Sequence, residues 1–213
     1  MTADDRQAVV AAVRTLAASG LNVGTAGNVS VRVDGGLLVT PSGVPAEELV
    51  EADIVALDVD GVPGPGQLVP TSEWRLHVAV LKARADVAAV VHTHSPEATA
   101  AACTGRPLPA VHYVVARTGG SSVPIAPYAT YGSEELATNV VSALGDGMAC
   151  LMANHGLLTV GSTLHAAVAL AADVEWLAGV WRRASMLGGA VVLPDDEITR
   201  VAERFTTYGQ PRR

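Results

Sequence analysis

The sequence predicts a single α/β domain spanning residues 1–213. Its 213 residues suffice for one full hydrophobic core, and 49% of them are hydrophobic. Helical and strand patterns alternate along it: an apolar stripe predicts a first helix over Asp4–Ala18, and the apolar run Val87–Val91 predicts a buried strand. No internal repeat or long linker divides the chain. We therefore expect helices and strands to share one core.

The other elements follow from the same two patterns. A hairpin is predicted where the strands Val29–Val33 and Leu37–Thr40 flank Asp34-Gly35-Gly36. Further strands are predicted over Ile54–Asp58, Val123–Ala126, Met148–Met152 and Leu157–Val160, with an extended segment over Pro107–Tyr113. Further helices are predicted over Trp74–Leu81, Glu97–Cys103, Ser133–Leu144, Thr163–Leu187 and Pro194–Thr207.

Charge, cysteine content and the N-terminus restrict the functional class. The formal net charge of −7 argues against a general nucleic-acid surface, although a local pocket for a small anion stays open. Cys103 and Cys150 form neither a CxxC motif nor a disulfide framework, which is typical of reduced thiols in the cytosol. The N-terminal MTADDRQAVV is not of signal-peptide type, and no segment resembles a transmembrane span. We expect a cytoplasmic protein without membrane partners.

Small polar turns recur in the first third of the chain. Gly24–Ser30 is rich in glycine, Thr40–Gly43 adds two hydroxyls, and Thr71 and Ser72 are N-cap candidates for the helix after Glu73. Backbone N–H groups and hydroxyls in such turns can bind an oxyanion at a helix N-terminus. Each turn alone is better interpreted as an ordinary turn or helix cap, but the presence of three in the first third of the chain favours an anion site.

Three histidines follow predicted strands. His92 and His94 leave the strand after Val91 two residues apart, so their side chains point the same way and can converge on one ion. His155 lies at a second strand exit beside Gly156 and is the candidate third ligand. A His-x-His pair alone is weak evidence for zinc, which needs at least one further ligand. His77 reads as helix surface or as a supporting residue, and Lys82, the only lysine, lies away from these motifs.

Seven motifs follow one another along the chain: GTAGNVSVR, TPSGVP, PTSEWRLH, VVHTHSP, PAVHY, PYATYG and NHGLL. In this order and at these spacings they resemble the class II aldolase/adducin family, and within it the L-fuculose-1-phosphate aldolases. The resemblance runs from about residue 5 to Tyr208. It implies a mixed, mainly antiparallel central sheet between helical layers, assembled as a fourfold homotetramer with active sites at subunit interfaces.

The resemblance also implies roles for individual residues. The zinc ligands are His92, His94 and His155, and Glu73 is the catalytic acid/base that also approaches the metal. Tyr113 acts as a proton donor or acceptor from a neighbouring subunit. The substrate phosphate lies among Gly27, Asn28, Ser42, Gly43, Thr71 and Ser72, and the aldehyde pocket among Tyr131, Phe205 and Tyr208, with the tail of about 203–213 over a neighbouring site. Ala26 and Thr71 depart from the family, whose members often have a hydroxyl residue at the first position and serine at the second.

The function implied is zinc-dependent, reversible cleavage of a ketose 1-phosphate to dihydroxyacetone phosphate and a short aldehyde. L-fuculose 1-phosphate and related 5-deoxy-pentulose 1-phosphates differ only beyond the cleaved bond. Sugar-phosphate 4-epimerases of the family use a further acidic residue after the His-x-His strand, and Gly105–Thr130 contains no Asp or Glu. Methylthioribulose-1-phosphate dehydratases remain an alternative, whereas the three histidines and Glu73 argue against a non-enzymatic adducin-like module.

Overall fold

A seven-stranded mixed sheet organises the computed structural model, which describes residues 3–208. The strands are β1 Asn28–Val33, β2 Gly36–Val39, β3 Val55–Asp58, β4 Ala89–Thr93, β5 Leu108–Pro109, β6 Ser122–Val123, β7 Ile125–Ala126, β8 Ala149–Met152 and β9 Gly156–Gly161. Their order in the main sheet is β3-β2-β1-β4-β9-β8-β7, and every neighbouring pair is antiparallel except β7 and β8. The expected mixed, mainly antiparallel sheet is confirmed.

Helices cover both faces of this sheet. They are α1 Ala3–Ala18, α2 Trp74–Ala83, α3 Pro96–Ala102, α4 Glu134–Leu144, α5 Leu164–Met186 and α6 Asp195–Phe205, with 3₁₀ helices at Glu51–Asp53 and Tyr113–Thr118. One apolar core joins the sheet to α1, α3 and α5, and a second joins its other face to α2 and α4. The helical layers and the sheet form one α/β domain, as expected.

Strand β4 lies at the centre of the sheet and belongs to both cores. Ala89 and Val91 pack toward α1, α3 and α5, whereas Val90 packs toward α2 and α4, because successive side chains on a strand point to opposite faces. All residues of β4 are buried. Burial on both faces explains the continuous apolar run in the sequence and places the end of β4 in the interior.

Two predicted elements differ from the structure. The segment Val123–Ala126 is not one strand, because Pro124 separates β6, which pairs with β5, from β7, which pairs with β8. Proline has no N–H to donate to a strand ladder. The extended segment Pro107–Tyr113 contributes only β5, in a separate two-stranded sheet, and Tyr113 already begins a 3₁₀ helix.

Helix α5 is long and apolar enough to cross a membrane by length and composition alone, as core helices also can be. It carries charged side chains that serve the fold. The Glu175 carboxylate accepts hydrogen bonds from the backbone N–H groups of Glu97 and Ala98 at 2.9 and 2.8 Å, and so caps the start of α3. Asp173 forms an ion pair with Arg117. These contacts are those of a helix packed within a protein.

Candidate metal centre and active site

The predicted histidine ligands meet where three central strands begin or end. His92 lies in β4 opposite Asn28 of β1 and Leu158 of β9, His94 follows β4, and His155 directly precedes β9. Because β1, β4 and β9 are neighbours, these positions converge on one edge of the sheet. Glu73 reaches the same place from the N-terminus of α2, where it is the N-cap residue.

The three imidazoles surround a small polar space. Their ring centroids are 4.7 Å apart for His92 and His94, 4.9 Å for His92 and His155, and 5.0 Å for His94 and His155. Together with a Glu73 carboxylate oxygen, their ligand atoms all lie within 4.8 Å of one another. This donor set, three nitrogens and one oxygen, matches the ligands that zinc takes in catalytic sites.

The protonation of the histidines suits a cation. The Nδ1–H of His92 donates to the backbone carbonyl of Leu157 at 2.9 Å, so Nε2 is the ring nitrogen that faces His94 Nε2, at 2.9 Å. Burial, then neighbouring histidines, lowers the pKa of His94 to about 4, and burial and His92 lower that of His155. At neutral pH these two imidazoles carry no charge to repel a metal ion.

Glu73 is ionised, and only one of its two carboxylate oxygens has a hydrogen-bond partner among the described residues. Its Oε2 accepts a hydrogen bond from Asn28 Nδ2 at 2.9 Å and lies 3.1 Å from His92 Nε2. Its Oε1 is buried, has no hydrogen-bond partner, and lies 3.4 Å from His155 Nε2. Burial alone would raise the carboxyl pKa, but His92 and the Asn28 amide, with His155, lower it well below its usual range. An ionised carboxylate with a free buried oxygen suits a metal-assisted base.

A cavity of about 400 Å³ opens beside this centre. All six predicted phosphate-binding residues line it, and so does Tyr131 of the predicted aldehyde pocket. Within the part of the chain that the structure describes, no Lys or Arg lines the cavity, so an anion would be held by neutral donors and the metal. The lining residues are Thr25, Ala26, Gly27, Asn28, Pro41, Ser42, Gly43, Thr71, Ser72, Glu73, His94, Tyr128, Ala129, Tyr131, Asn154 and His155.

The turn before α2 corrects one prediction. Neither Thr71 nor Ser72 is the N-cap of α2, because that position is Glu73, whose carboxylate turns away from the helix toward His92. Thr71 Oγ1 instead accepts a hydrogen bond from the backbone N–H of Glu73 at 3.4 Å. The turn therefore orients Glu73 while both hydroxyl residues line the cavity.

Gly156 is required by close packing at the histidine centre. A Cβ at this position would lie 2.4 Å from the carbonyl oxygen of Thr93, and 3.3 Å from ring atoms of both His92 and His94. Contacts of 2.4 Å with backbone do not occur in proteins, so only glycine lets β9 begin here. The glycine after His155 thus allows the two strand exits to approach each other.

Two polar cavity residues were given no role by the sequence reasoning, namely Tyr128 and Asn154. Asn154 has a φ of 54°, the one positive value among the described residues other than glycine. Asparagine tolerates this conformation better than most residues, and here it aims the following His155 at the centre. The Asn-His-Gly order at a strand exit was the available signal.

The remaining aromatic candidates lie outside the cavity of their own chain. The ring of Tyr113 lies near that of Phe205, with ring centroids 6.2 Å apart, and the ring centroid of Phe205 lies 6.1 Å from that of Tyr208. Tyr113 and Tyr208 are 49% and 84% exposed, so this chain covers about half of the first side chain and little of the second. Residues 209–213 of the predicted tail lie outside the described part of the chain.

The two remaining basic candidates, His77 and Lys82, do not line the cavity. His77 is fully buried rather than on the helix surface, and it contacts Asn28 and Ser30. Lys82 is exposed and forms an ion pair with Asp60 at 3.0 Å. The only lysine of the sequence is therefore away from the cavity and unsuited to form a Schiff base with a substrate there.

Comparison with known proteins identifies the family. Residues 7–181 match the class II aldolase and adducin N-terminal domain. A 5-methylthioribulose-1-phosphate/5-deoxyribulose-1-phosphate aldolase of Rhodospirillum rubrum is 48% identical over 96% of this chain and 92% of that protein. The L-fuculose phosphate aldolase of Escherichia coli strain K12 is 47% identical over 89% of this chain and 88% of its own.

A solved structure gives the same result for the fold. An L-fuculose 1-phosphate aldolase superposes with a TM-score of 0.93 at 38% identity, covering 97% of this chain and 98% of that one. The match includes the central sheet and its helical layers. The chain therefore belongs to the class II aldolase and adducin family, as one of its metal-dependent enzymes, a class II aldolase.

Proposed function

We propose that the protein is a zinc-dependent aldolase that reversibly cleaves a ketose 1-phosphate to dihydroxyacetone phosphate and a short aldehyde. One observation carries this proposal: His92, His94, His155 and Glu73 converge within 4.8 Å at the end of a cavity whose other wall is built from small polar turns. A metal centre and an anion cradle in one cavity fit a substrate with a carbonyl near a phosphate.

The turns are proposed to hold the phosphate. Gly27, Ser42, Gly43 and Ser72 line the cavity, and hydroxyls and glycine N–H groups are the neutral donors that bind phosphate in such turns. The Ser42 N–H already donates to the Val69 carbonyl, so this residue would contribute its hydroxyl. The Asn28 amide lines the cavity too, but one of its N–H groups is already given to Glu73. Its proposed phosphate contact rests on the second N–H of the same amide.

Glu73 is proposed to transfer the proton carried by the carbon atom next to the substrate carbonyl. Its Oε1 has no partner among the described residues and is the acceptor available for this proton, whereas Oε2 is held by Asn28. When bound, zinc supplies the Lewis acid that polarises the carbonyl. In the synthesis direction, the ionised Glu73 removes this proton from the three-carbon fragment. In the cleavage direction, the protonated Glu73 gives it back. Glu73 is therefore the base in one direction and the acid in the other.

A neighbouring subunit is proposed to complete the site. Tyr113, Phe205 and Tyr208 do not line the cavity of their own chain, and the two tyrosines are exposed. In a fourfold homotetramer they would supply the proton for the aldehyde oxygen and an aromatic wall around it. We assign the assembled enzyme to the cytoplasm, in agreement with its sequence.

The substrate is proposed to be L-fuculose 1-phosphate or a 5-deoxy-pentulose 1-phosphate. Relatives named for fuculose phosphate and for 5-methylthioribulose and 5-deoxyribulose 1-phosphates are similarly close, at 47% and 48% identity. These substrates share the phosphate end that the turns would bind. They differ in the aldehyde, which would meet Tyr131 and the aromatic residues of the neighbouring subunit.

The cavity gives no support to the epimerase alternative. Glu73 is the only carboxylate among its described lining residues, so no second acid is present for proton transfer on the opposite side. A dehydratase would use the same metal ligands but release water rather than a three-carbon fragment. The products therefore separate the aldolase from a methylthioribulose-1-phosphate dehydratase.

A panel of ketose 1-phosphates tests the proposal. The zinc-loaded protein is incubated with fuculose, rhamnulose, ribulose, 5-deoxyribulose and 5-methylthioribulose 1-phosphates, and dihydroxyacetone phosphate is measured with a coupled reductase. We expect release from at least one substrate, abolished by a chelator and restored by zinc. Loss of water without dihydroxyacetone phosphate, or no reaction with any substrate, would overturn the assignment.

A further inference from the structure

Four buried side chains form a continuous hydrogen-bonded chain behind Glu73. Ser30 Oγ lies 2.7 Å from His77 Nδ1, His77 Nε2 lies 2.5 Å from Asn28 Oδ1, and Asn28 Nδ2 lies 2.9 Å from Glu73 Oε2. Ser30 and His77 are fully buried, and Asn28 and Glu73 are 5% exposed. The chain joins the core of the domain to the proposed base.

The sequence spacing explains why these four groups meet. Asn28 and Ser30 are two residues apart on β1 and so share one face of the sheet. Glu73 and His77 are four residues apart, at the N-cap and in the first turns of α2, and so share one face of the helix. Packing α2 on this face of β1 brings the two pairs together.

The chemistry of the groups fixes the direction of every hydrogen bond. An ionised Glu73 only accepts, so the Asn28 amide must turn its NH₂ toward Glu73 and its oxygen toward His77. His77 must then carry its proton on Nε2, and a neutral imidazole leaves Nδ1 to accept from the Ser30 hydroxyl. Burial lowers the pKa of His77 to about 3, with Glu73 opposing in part, which agrees with a neutral ring.

We propose that His77 and Ser30 are positioning residues for the reaction, because they fix the Asn28 amide so that it holds Glu73 Oε2 and leaves Oε1 free for the substrate proton. A reversed amide would place its oxygen against the carboxylate oxygen, two acceptors in contact. Neither His77 nor Ser30 lines the cavity, so both act through Asn28. This inference rests on the function proposed above.

Kinetics of three variants measure the positioning role. His77→Leu removes both hydrogen bonds of the ring, His77→Gln keeps an N–H close to the Nε2 position, and Ser30→Ala removes the donor that selects the tautomer. We expect His77→Leu to lower kcat about 10- to 100-fold, as other supporting residues of metal sites do, with a smaller effect on KM through the Asn28 amide and with zinc content nearly unchanged. His77→Gln should recover most of the loss, and Ser30→Ala should fall between the two.

A spectroscopic measurement tests the geometry without any substrate or metal. In the metal-free protein labelled with ¹⁵N-histidine, we expect a pyrrole-type Nε2 and a pyridine-type Nδ1 for His77, with the signals assigned by their loss in His77→Gln. The opposite tautomer would overturn the proposal, and so would wild-type kcat in His77→Leu or no recovery in His77→Gln. A wild-type protein inactive on every ketose 1-phosphate would instead defeat the proposed function and leave this measurement valid.

Discussion

At the scale of single residues, the proposed chemistry depends first on Glu73. Replacing it with glutamine keeps the size of the side chain but removes the acceptor Oε1 that faces the centre. We expect Glu73→Gln to keep its fold and most of its zinc while kcat falls about 100- to 10,000-fold, with a smaller effect on KM. Exchange of the dihydroxyacetone phosphate proton with solvent deuterium, followed by NMR, isolates this step from carbon–carbon cleavage.

Glu134→Gln is the matched control, because Glu134 is an exposed glutamate in the first turn of α4. It should exchange the proton at the wild-type rate. If Glu73→Gln exchanged as fast as this control, Glu73 would not be the base.

The residues of the candidate centre were largely predictable from the sequence, and their surroundings were not. Strand spacing brings His92 and His94 to one side, and a second strand exit supplies His155, so their meeting needed only adjacent strands. The burial of His77 could not be predicted from the sequence, because a lone histidine on a helix is buried or exposed according to which helix face packs on the sheet. That choice is made by β1, far away in sequence.

At the scale of elements, the approach of β4 and β9 controls the centre. In Gly156→Ala the new methyl group would meet the Thr93 carbonyl, so the strand exits must move apart. We expect a loss of about 1–3 kcal/mol in the free energy of unfolding, together with weaker zinc binding. Urea denaturation and metal analysis measure the two effects.

Gly120→Ala is the corresponding control in a loop. A Cβ there would meet nothing closer than 3.5 Å, an ordinary contact. The free energy of unfolding and the zinc affinity of Gly120→Ala should stay near the wild-type values. Equal behaviour of the two variants would show that Gly156 is not needed for close packing.

Contacts between the end of α2 and the end of α4 make the stability of the fold depend on pH. Arg84 donates to the carbonyls of Gly145 and Gly147 and binds both carboxylate oxygens of Asp86, at 2.8 and 2.7 Å. The Arg84 guanidinium holds the pKa of Asp86 at about 2, below its ordinary value of 3.8. A depressed carboxyl pKa contributes stability above the unfolded value, and this contribution is lost as the pH falls through the folded value.

We therefore expect wild type to melt at a higher temperature than Asp86→Asn at pH 6, and the gap in Tm to close between about pH 4 and pH 2. Thermal unfolding followed by circular dichroism across this range measures the gap. A gap that stayed constant with pH would show that the ionised carboxylate of Asp86 is not its source.

Element types were predictable because their patterns are strong and local. The hairpin of β1 and β2, the helix after Glu73 and the long apolar α5 all follow from periodicity. The division of Val123–Ala126 was less visible, since an apolar run containing one proline reads as a single strand until its two partners, β5 and β8, are known. Pairing between distant segments decided that case.

At the scale of the whole molecule, the aromatic cluster of Tyr113, Phe205 and Tyr208 is the proposed contribution to a neighbouring site. A protein ending at Arg204 loses both C-terminal aromatics. We expect it to keep zinc and proton exchange into dihydroxyacetone phosphate, but to cleave more slowly and to distinguish aldehydes less well. A protein ending at Tyr208 is the control that keeps both rings.

Rates with two ketose 1-phosphates, together with the mass of the assembly in solution, measure the effect. If the protein ending at Arg204 were tetrameric and kept the wild-type rate and preference, the aromatic residues would have no part in the aldehyde pocket. The mixed, mainly antiparallel sheet between helical layers followed from family resemblance, whereas the position of one subunit against another is not encoded in any local pattern of the chain.

The most direct test of the central claim joins metal content to activity in one variant. Wild type is expected to hold about one zinc ion per chain and to release dihydroxyacetone phosphate in proportion to it. His155→Ala should lose zinc and activity together, while His165→Ala, at an exposed histidine of α5, should lose neither. Full zinc occupancy in His155→Ala, or zinc-loaded wild type that releases no dihydroxyacetone phosphate, would contradict the account.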